Sequence, residues 1–131
     1  MYTIGMTIII ALLATFSLTI LLIFHILLIF GAPFGHYAWG GRHRVLPKEL
    51  RLATVSTVAA YLAFIVIALS QAGIVQIIQP GVFLDFAVWA VAIYMYFGVL
   101  GNGLSTSRPE RFVMVPVSAT LAILFTYLAL A

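Results

Sequence analysis

Apolar side chains run almost unbroken through four stretches of this sequence, and the polar ones gather in the short segments between them. A membrane-crossing helix needs roughly 20 mainly apolar residues at about 1.5 Å of rise each. Residues 4–30, 52–72, 82–100 and 112–131 meet that requirement. Membrane-spanning strands would instead show segments of roughly ten residues with strict alternation, which these runs lack. The pattern predicts an all-α fold, an integral membrane antiparallel four-helix bundle forming one domain over 1–131. The first stretch exceeds what a bilayer requires and is expected to tilt or project.

Turn chemistry punctuates the runs. Gly31, Pro33 and Gly35 are expected to stop the first helix. Gln79, Pro80 and Gly81 form a Pro-Gly turn ahead of the third. Gly101 and Gly103 are expected to end the third helix with glycine in the left-handed conformation. Ser107 and Glu110 have the spacing of a capping box that starts the fourth, with Pro109 in its first turn.

Composition sharpens the class. Of the 131 residues, 65% are apolar and only 7% are charged, against about 25% charged in an ordinary soluble domain. A chain this short leaves roughly a third of its surface exposed on folding, and so few charges cannot cover it in water. With no cysteine, disulfides, thiolate catalysis and Cys-ligated clusters are excluded. The amino-terminal run is too long, and lacks the basic flank, for a cleavable signal peptide.

The six basic residues fall in two connections. Arg42, Arg44, Lys48 and Arg51 lie in 31–51, and Arg108 and Arg111 in 101–111. The positive-inside rule places both connections in the cytoplasm and both termini outside, so the expected topology is N-out/C-out in a prokaryotic plasma membrane. The net charge of +3 is read as attraction to anionic headgroups on that face, not to nucleic acid.

Residues 31–51 are the richest stretch. Helix–helix connections need only a few residues, yet this one combines His36 and His43 with Phe34, Tyr37 and Trp39, a Gly40-Gly41 turn and four cations. Either it anchors the chain at the headgroup level, or its glycine N–H groups beside Arg42 and Arg44 bind an anion or a partner's surface. His36 and His43 lack the spacing of a zinc site, and no metal is predicted. The segment is similar to one shared by small bacterial four-helix membrane proteins with a GAPxGxxAWGG-type first connection. That resemblance covers the end of the first helix through the start of the second, and implies topology without an activity.

Within the spans, His25 is the one strongly polar side chain in the first helix, about 8 Å inside its basic end. It either hydrogen-bonds a neighbouring helix or contacts a ligand, because intramembrane ionisable groups mark functional sites. Tyr94, Tyr96 and Thr57 or Ser118 fall near its depth. The chain has no second histidine within a span, so haem would need a partner's ligand, and quinone is considered on the same terms. No cofactor is predicted for the chain alone. Asp85 reads as a first-turn acid of the third helix, or as a cation or proton site with Gln71, Gln76 or Gln79, on the opposite side of the membrane from His25.

Packing faces follow from small and hydroxyl residues at helical spacing. They are Thr7, Ala11, Ala14 and Leu18 leading to His25; Thr54, Thr57, Tyr61, Ala68 and Gln71; Asp85, Trp89, Ala92 and Tyr96; and Ser118, Ala122, Thr126 and Ala129. Pro116 should bend the fourth helix, with room for a cavity behind it. Tiny soluble segments and the absence of a nucleophile–base pair favour a non-catalytic accessory or assembly subunit that docks other membrane proteins or a second copy. A small oligomeric transporter or channel, and a lipid- or quinone-interacting enzyme or redox component, are the competing readings. The ligand or partner candidates are His25, His36, Trp39, Arg42, His43, Arg44, Tyr61, Asp85 and Tyr96.

Overall fold

The Thr3 hydroxyl accepts a hydrogen bond from the Met6 N–H at 3.1 Å and so caps the first helix. The computed structural model describes residues 3–131. Four α-helices follow in order: α1 (Ile4–Ile29), α2 (Lys48–Gln71), α3 (Val82–Gly103) and α4 (Arg108–Leu130). Two short 3₁₀ turns, Gly35–Tyr37 and Trp39–Gly41, lie between α1 and α2. No strand occurs among the described residues. All four α-helices are long and apolar enough to cross a membrane.

The helix ends agree with the sequence in part. Gly31, with φ of 92°, lets the chain turn off α1, while the Ala32 N–H reaches back to the Leu27 carbonyl at 3.0 Å. At the far end of α3 the expectation fails. Gly101 lies inside the helix, neither it nor Gly103 takes a positive φ, and the terminus closes on right-handed Leu104. A helix can end by a tightened last turn without a left-handed residue.

Packing divides the helices into two strongly contacting pairs, α1 with α2 and α3 with α4, joined chiefly through α1 and α4. The core is Ala11, Ala14, Leu18 and Leu21 of α1 against Leu84, Val88, Val91, Ala92 and Met95 of α3 and Leu121, Ala122, Phe125 and Leu128 of α4. Alanines at Ala11, Ala14 and Ala92 let the backbones approach where lipid supplies no hydrophobic drive between helices. Between α3 and α4, Asn102 reaches Ser118 while Tyr96 reaches Thr126, so the contacts step in opposite senses along the two chains.

The predicted face of α3 is corrected by one position. Asp85, Trp89 and Tyr96 are exposed, and the buried stripe is Leu84, Val88, Val91, Ala92 and Met95, sharing only Ala92 with the expected one. In a helix apolar all round, small and polar residues do not by themselves choose the buried side. On α1, Ala11, Ala14, Leu18 and His25 are buried as expected. The second helix contributes least: only Thr54, Ala68 and Ser70 are buried along its length.

Candidate functional site

The first connection is a folded cap. The Gly35 N–H donates to the Arg44 carbonyl at 2.8 Å, and a side chain at Gly35 would run into the His43 and Arg44 carbonyls. Gly40 and Gly41 take φ of 80° and 72°, and Gly41 lies against Ser107 with no room for a Cβ. Trp39 itself has a positive φ of 51°. Its indole N–H donates at 2.9 Å to the Thr54 hydroxyl, whose own proton goes to the Leu50 carbonyl. Ala38 and Leu46 pack on Leu28 beneath the turn. The Arg51 guanidinium donates to the Leu46 carbonyl at 2.8 Å and lies over Gly31.

The cap is bolted to the start of α4. The Ser107 hydroxyl donates to the His36 carbonyl at 2.6 Å and accepts from the Glu110 N–H at 3.4 Å. The capping box is thus half formed. The Glu110 carboxylate does not return to the Ser107 N–H, which donates to the Ser105 hydroxyl; it accepts instead from the Gly40 N–H at 3.1 Å. Glu110 is only 5% exposed. Sequence reasoning read it as a local cap and missed this long-range role, since no spacing rule links positions in different connections.

The candidates of the cap separate accordingly. The His36 ring donates through Nδ1 to the Gly41 carbonyl at 3.1 Å and belongs to the cap's internal bonding. Trp39 is half-exposed and tied to α2. Arg42, His43 and Arg44 are exposed, and their side chains have no hydrogen bond or ion pair among the described residues. They form an outward basic edge on an ordered frame.

Below the cap, His25 is 8% exposed. Its Nδ1 lies 2.7 Å from the Leu21 carbonyl, so Nδ1 carries the proton and Nε2 holds the lone pair. The expected bond to a neighbouring helix is absent among the described residues: the ring meets α2 through the Tyr61 ring, edge-on at 5.2 Å. Phe24 packs edge-on against the same imidazole at 5.0 Å. Tyr61 continues to Phe64 at 6.0 Å, and Phe64 to Tyr94 of α3 at 5.2 Å.

Besides an apolar groove of about 490 Å³ between α2 and α3 along Phe64, Phe86 and Tyr94, two cavities with polar groups in their walls flank this aromatic line. One, of about 530 Å³, lies between α1 and α4 under Phe34 and Tyr37, with Pro116 in its wall. Of its hydroxyls, those of Ser17 and Thr120 are bonded back to carbonyls of their own helices, while that of Tyr37 has no hydrogen-bond partner among the described residues. The other, of about 320 Å³, is a cleft reaching Leu21 and Leu121 in the core, lined by Tyr61, Tyr94, Phe97, Gly98, Asn102 and Ser118. Of the residues expected near the depth of His25, Tyr94 and Ser118 share this cleft and are joined there by Tyr61, while Thr57 and His25 do not line it and Tyr96 turns away. The Tyr96 hydroxyl donates to Thr126 at 2.9 Å, because the Thr126 proton is already on the Ala122 carbonyl.

Asp85 stands exposed in the first turn of α3 without a side-chain partner among the described residues. The glutamines do not gather around it. Gln71 donates to the Leu128 carbonyl at 2.9 Å, joining α2 to α4, and Gln79 donates to the Gln76 carbonyl at 3.1 Å. No group of three or more His, Asp or Glu side chains suited to a metal occurs among the described residues. Comparison with family models, curated proteins and solved structures finds no match to the chain. The geometry alone therefore carries the functional reading.

Proposed function

We propose that this chain is a non-catalytic accessory or assembly subunit of a larger membrane complex, an antiparallel four-helix bundle with both termini outside a prokaryotic plasma membrane. The observation that carries the reading is α2. It buries few of its residues in the chain's own core and exposes Ser56, Ala59 and Ala63 along one side. In hydrocarbon, small side chains permit the close backbone approach on which helix association depends. The ordered cap supports the same reading, because it holds Arg42, His43 and Arg44 outward at fixed positions for a partner's acidic surface or for anionic headgroups.

A photocrosslinking residue at Ala59 or Ala63, activated in native membranes, is expected to capture a membrane protein partner. The same residue at Ile93, exposed on α3, serves as the lipid-facing control. Equal capture of lipid alone from both positions overturns the docking face.

A further inference from the structure

We propose that the cleft between α2, α3 and α4 binds the neutral, carbonyl-bearing ring of a lipid-soluble molecule, with the chemistry of a quinone head group. This goes beyond the docking reading and rests on different residues. The cleft opens beside Tyr94 and Phe97, both exposed, and ends at buried Leu21 and Leu121. Its neighbours α2 and α3 touch far less than the other sequential pairs do, so a molecule dissolved in the bilayer has a lateral way in.

The polar inventory selects the ligand. The Tyr61 and Tyr94 hydroxyls have no hydrogen-bond partner among the described residues. Ser118 accepts from the Asn102 amide at 2.8 Å, and its own proton has no acceptor among them. Asn102 spends its N–H groups on Ser118 and, at 3.4 Å, on the Met114 carbonyl. The cleft thus offers several hydroxyl donors to an occupant, at a depth where water is scarce and an unmade hydrogen bond is costly. Hydroxyls can also accept and the Asn102 Oδ1 adds an acceptor, but three unspent protons in one cleft are best met by an occupant that accepts. No Lys, Arg, Asp or Glu lines the wall, so the acceptor is uncharged. The rings of Tyr61, Tyr94 and Phe97 provide flat walls for a planar ring. Gly98 leaves the floor open: a Cβ there would make only ordinary contact with Ser118, at 3.5 Å. A volume of about 320 Å³ is at the small end of ligand sites and suits a single ring, with its tail in the bilayer. The α1–α4 cavity, though larger, has one unspent hydroxyl, that of Tyr37, because Ser17 and Thr120 are bonded to their own helices; the cleft has three, on Tyr61, Tyr94 and Ser118.

The test uses the full chain in lipid nanodiscs and a photoreactive azido-benzoquinone carrying a decyl tail. Labelled peptides are mapped by mass spectrometry. The label is expected on peptides containing Tyr61 and Tyr94, displaced by unlabelled decyl-benzoquinone and not by decylbenzene, which lacks the carbonyls. Tyr61→Phe and Tyr94→Phe, which remove only a hydroxyl, should each weaken competition by up to about tenfold. Gly98→Leu should abolish labelling by filling the cleft. Labels concentrated around Ser17 and Thr120, labels spread according to lipid exposure, or equal displacement by decylbenzene each overturn the proposal. So does unchanged affinity in both tyrosine variants, a result that stands even where Gly98→Leu fails to fold.

Discussion

Glu110 Oε2 accepts a hydrogen bond from the Gly40 N–H at 3.1 Å, across 70 positions of sequence. Glu110 is the buried acid of this bundle's basic end, and it joins the cap to the first turn of α4. A backbone N–H with a charged acceptor is worth about 1.5–3 kcal/mol, and burial makes the orphaned donor expensive. Glu110→Ala is therefore expected to lower stability by about 2 kcal/mol in detergent unfolding. Glu110→Gln keeps an acceptor oxygen and should lose less. A stability unchanged in Glu110→Ala would mean that the contact at Gly40 contributes nothing.

The cap glycines separate two kinds of constraint. Gly40 needs only its left-handed conformation, because a Cβ there meets nothing within 4 Å. Gly35 has an ordinary φ but sits on backbone carbonyls that cannot move aside. Gly40→Ala is expected to cost about 1 kcal/mol. Gly35→Ala, which must displace the chain at His43 and Arg44, is expected to cost about 2–3 kcal/mol and to speed proteolysis of the cap. The opposite ranking, read from thermal midpoints, would show that conformation and not space sets the motif.

The four apolar runs made the helices legible, since length and hydropathy alone decide whether a segment can span a bilayer. The start of α4 was legible from Ser107 and Pro109. What the sequence could not show was rotation. Asp85, Trp89 and Tyr96 share a spacing with Ala92, but an aromatic with a polar tip is as well placed facing lipid or headgroups as facing protein. Only the contacts of Leu84, Val88, Val91 and Met95 reveal the turn of α3. The role of Glu110, the pairing of Trp39 with Thr54 and the cleft shared by Tyr61, Tyr94 and Asn102 depend on which connections and helices meet. No local pattern encodes that.

The proposed topology has a direct check at two exposed positions. Gln76→Cys should react with an impermeant maleimide on intact cells, and Thr106→Cys only after permeabilisation. This follows from the basic residues flanking Thr106 and their absence around Gln76. Labelling of Thr106→Cys without Gln76→Cys reverses the orientation.

His25 holds α1 to α2 by packing and not by a hydrogen bond. Its Nδ1 proton goes to the carbonyl of Leu21 on its own helix, while its contact with α2 is the Tyr61 ring at 5.2 Å. His25→Phe keeps an aromatic edge at that contact and gives up only the bond within α1, so a change of about 1 kcal/mol or less is expected. His25→Ala opens a hole beneath Tyr61 and Phe24 and should cost about 2 kcal/mol or more. Unfolding in mixed detergent micelles, followed by helical circular dichroism, distinguishes the two. If Phe is as damaging as Ala, the ring nitrogens matter more than the ring. The unpartnered Nε2 then becomes the atom to pursue, because the bond at Nδ1 leaves Nε2 as the lone-pair nitrogen able to accept a proton or a donor from outside the chain.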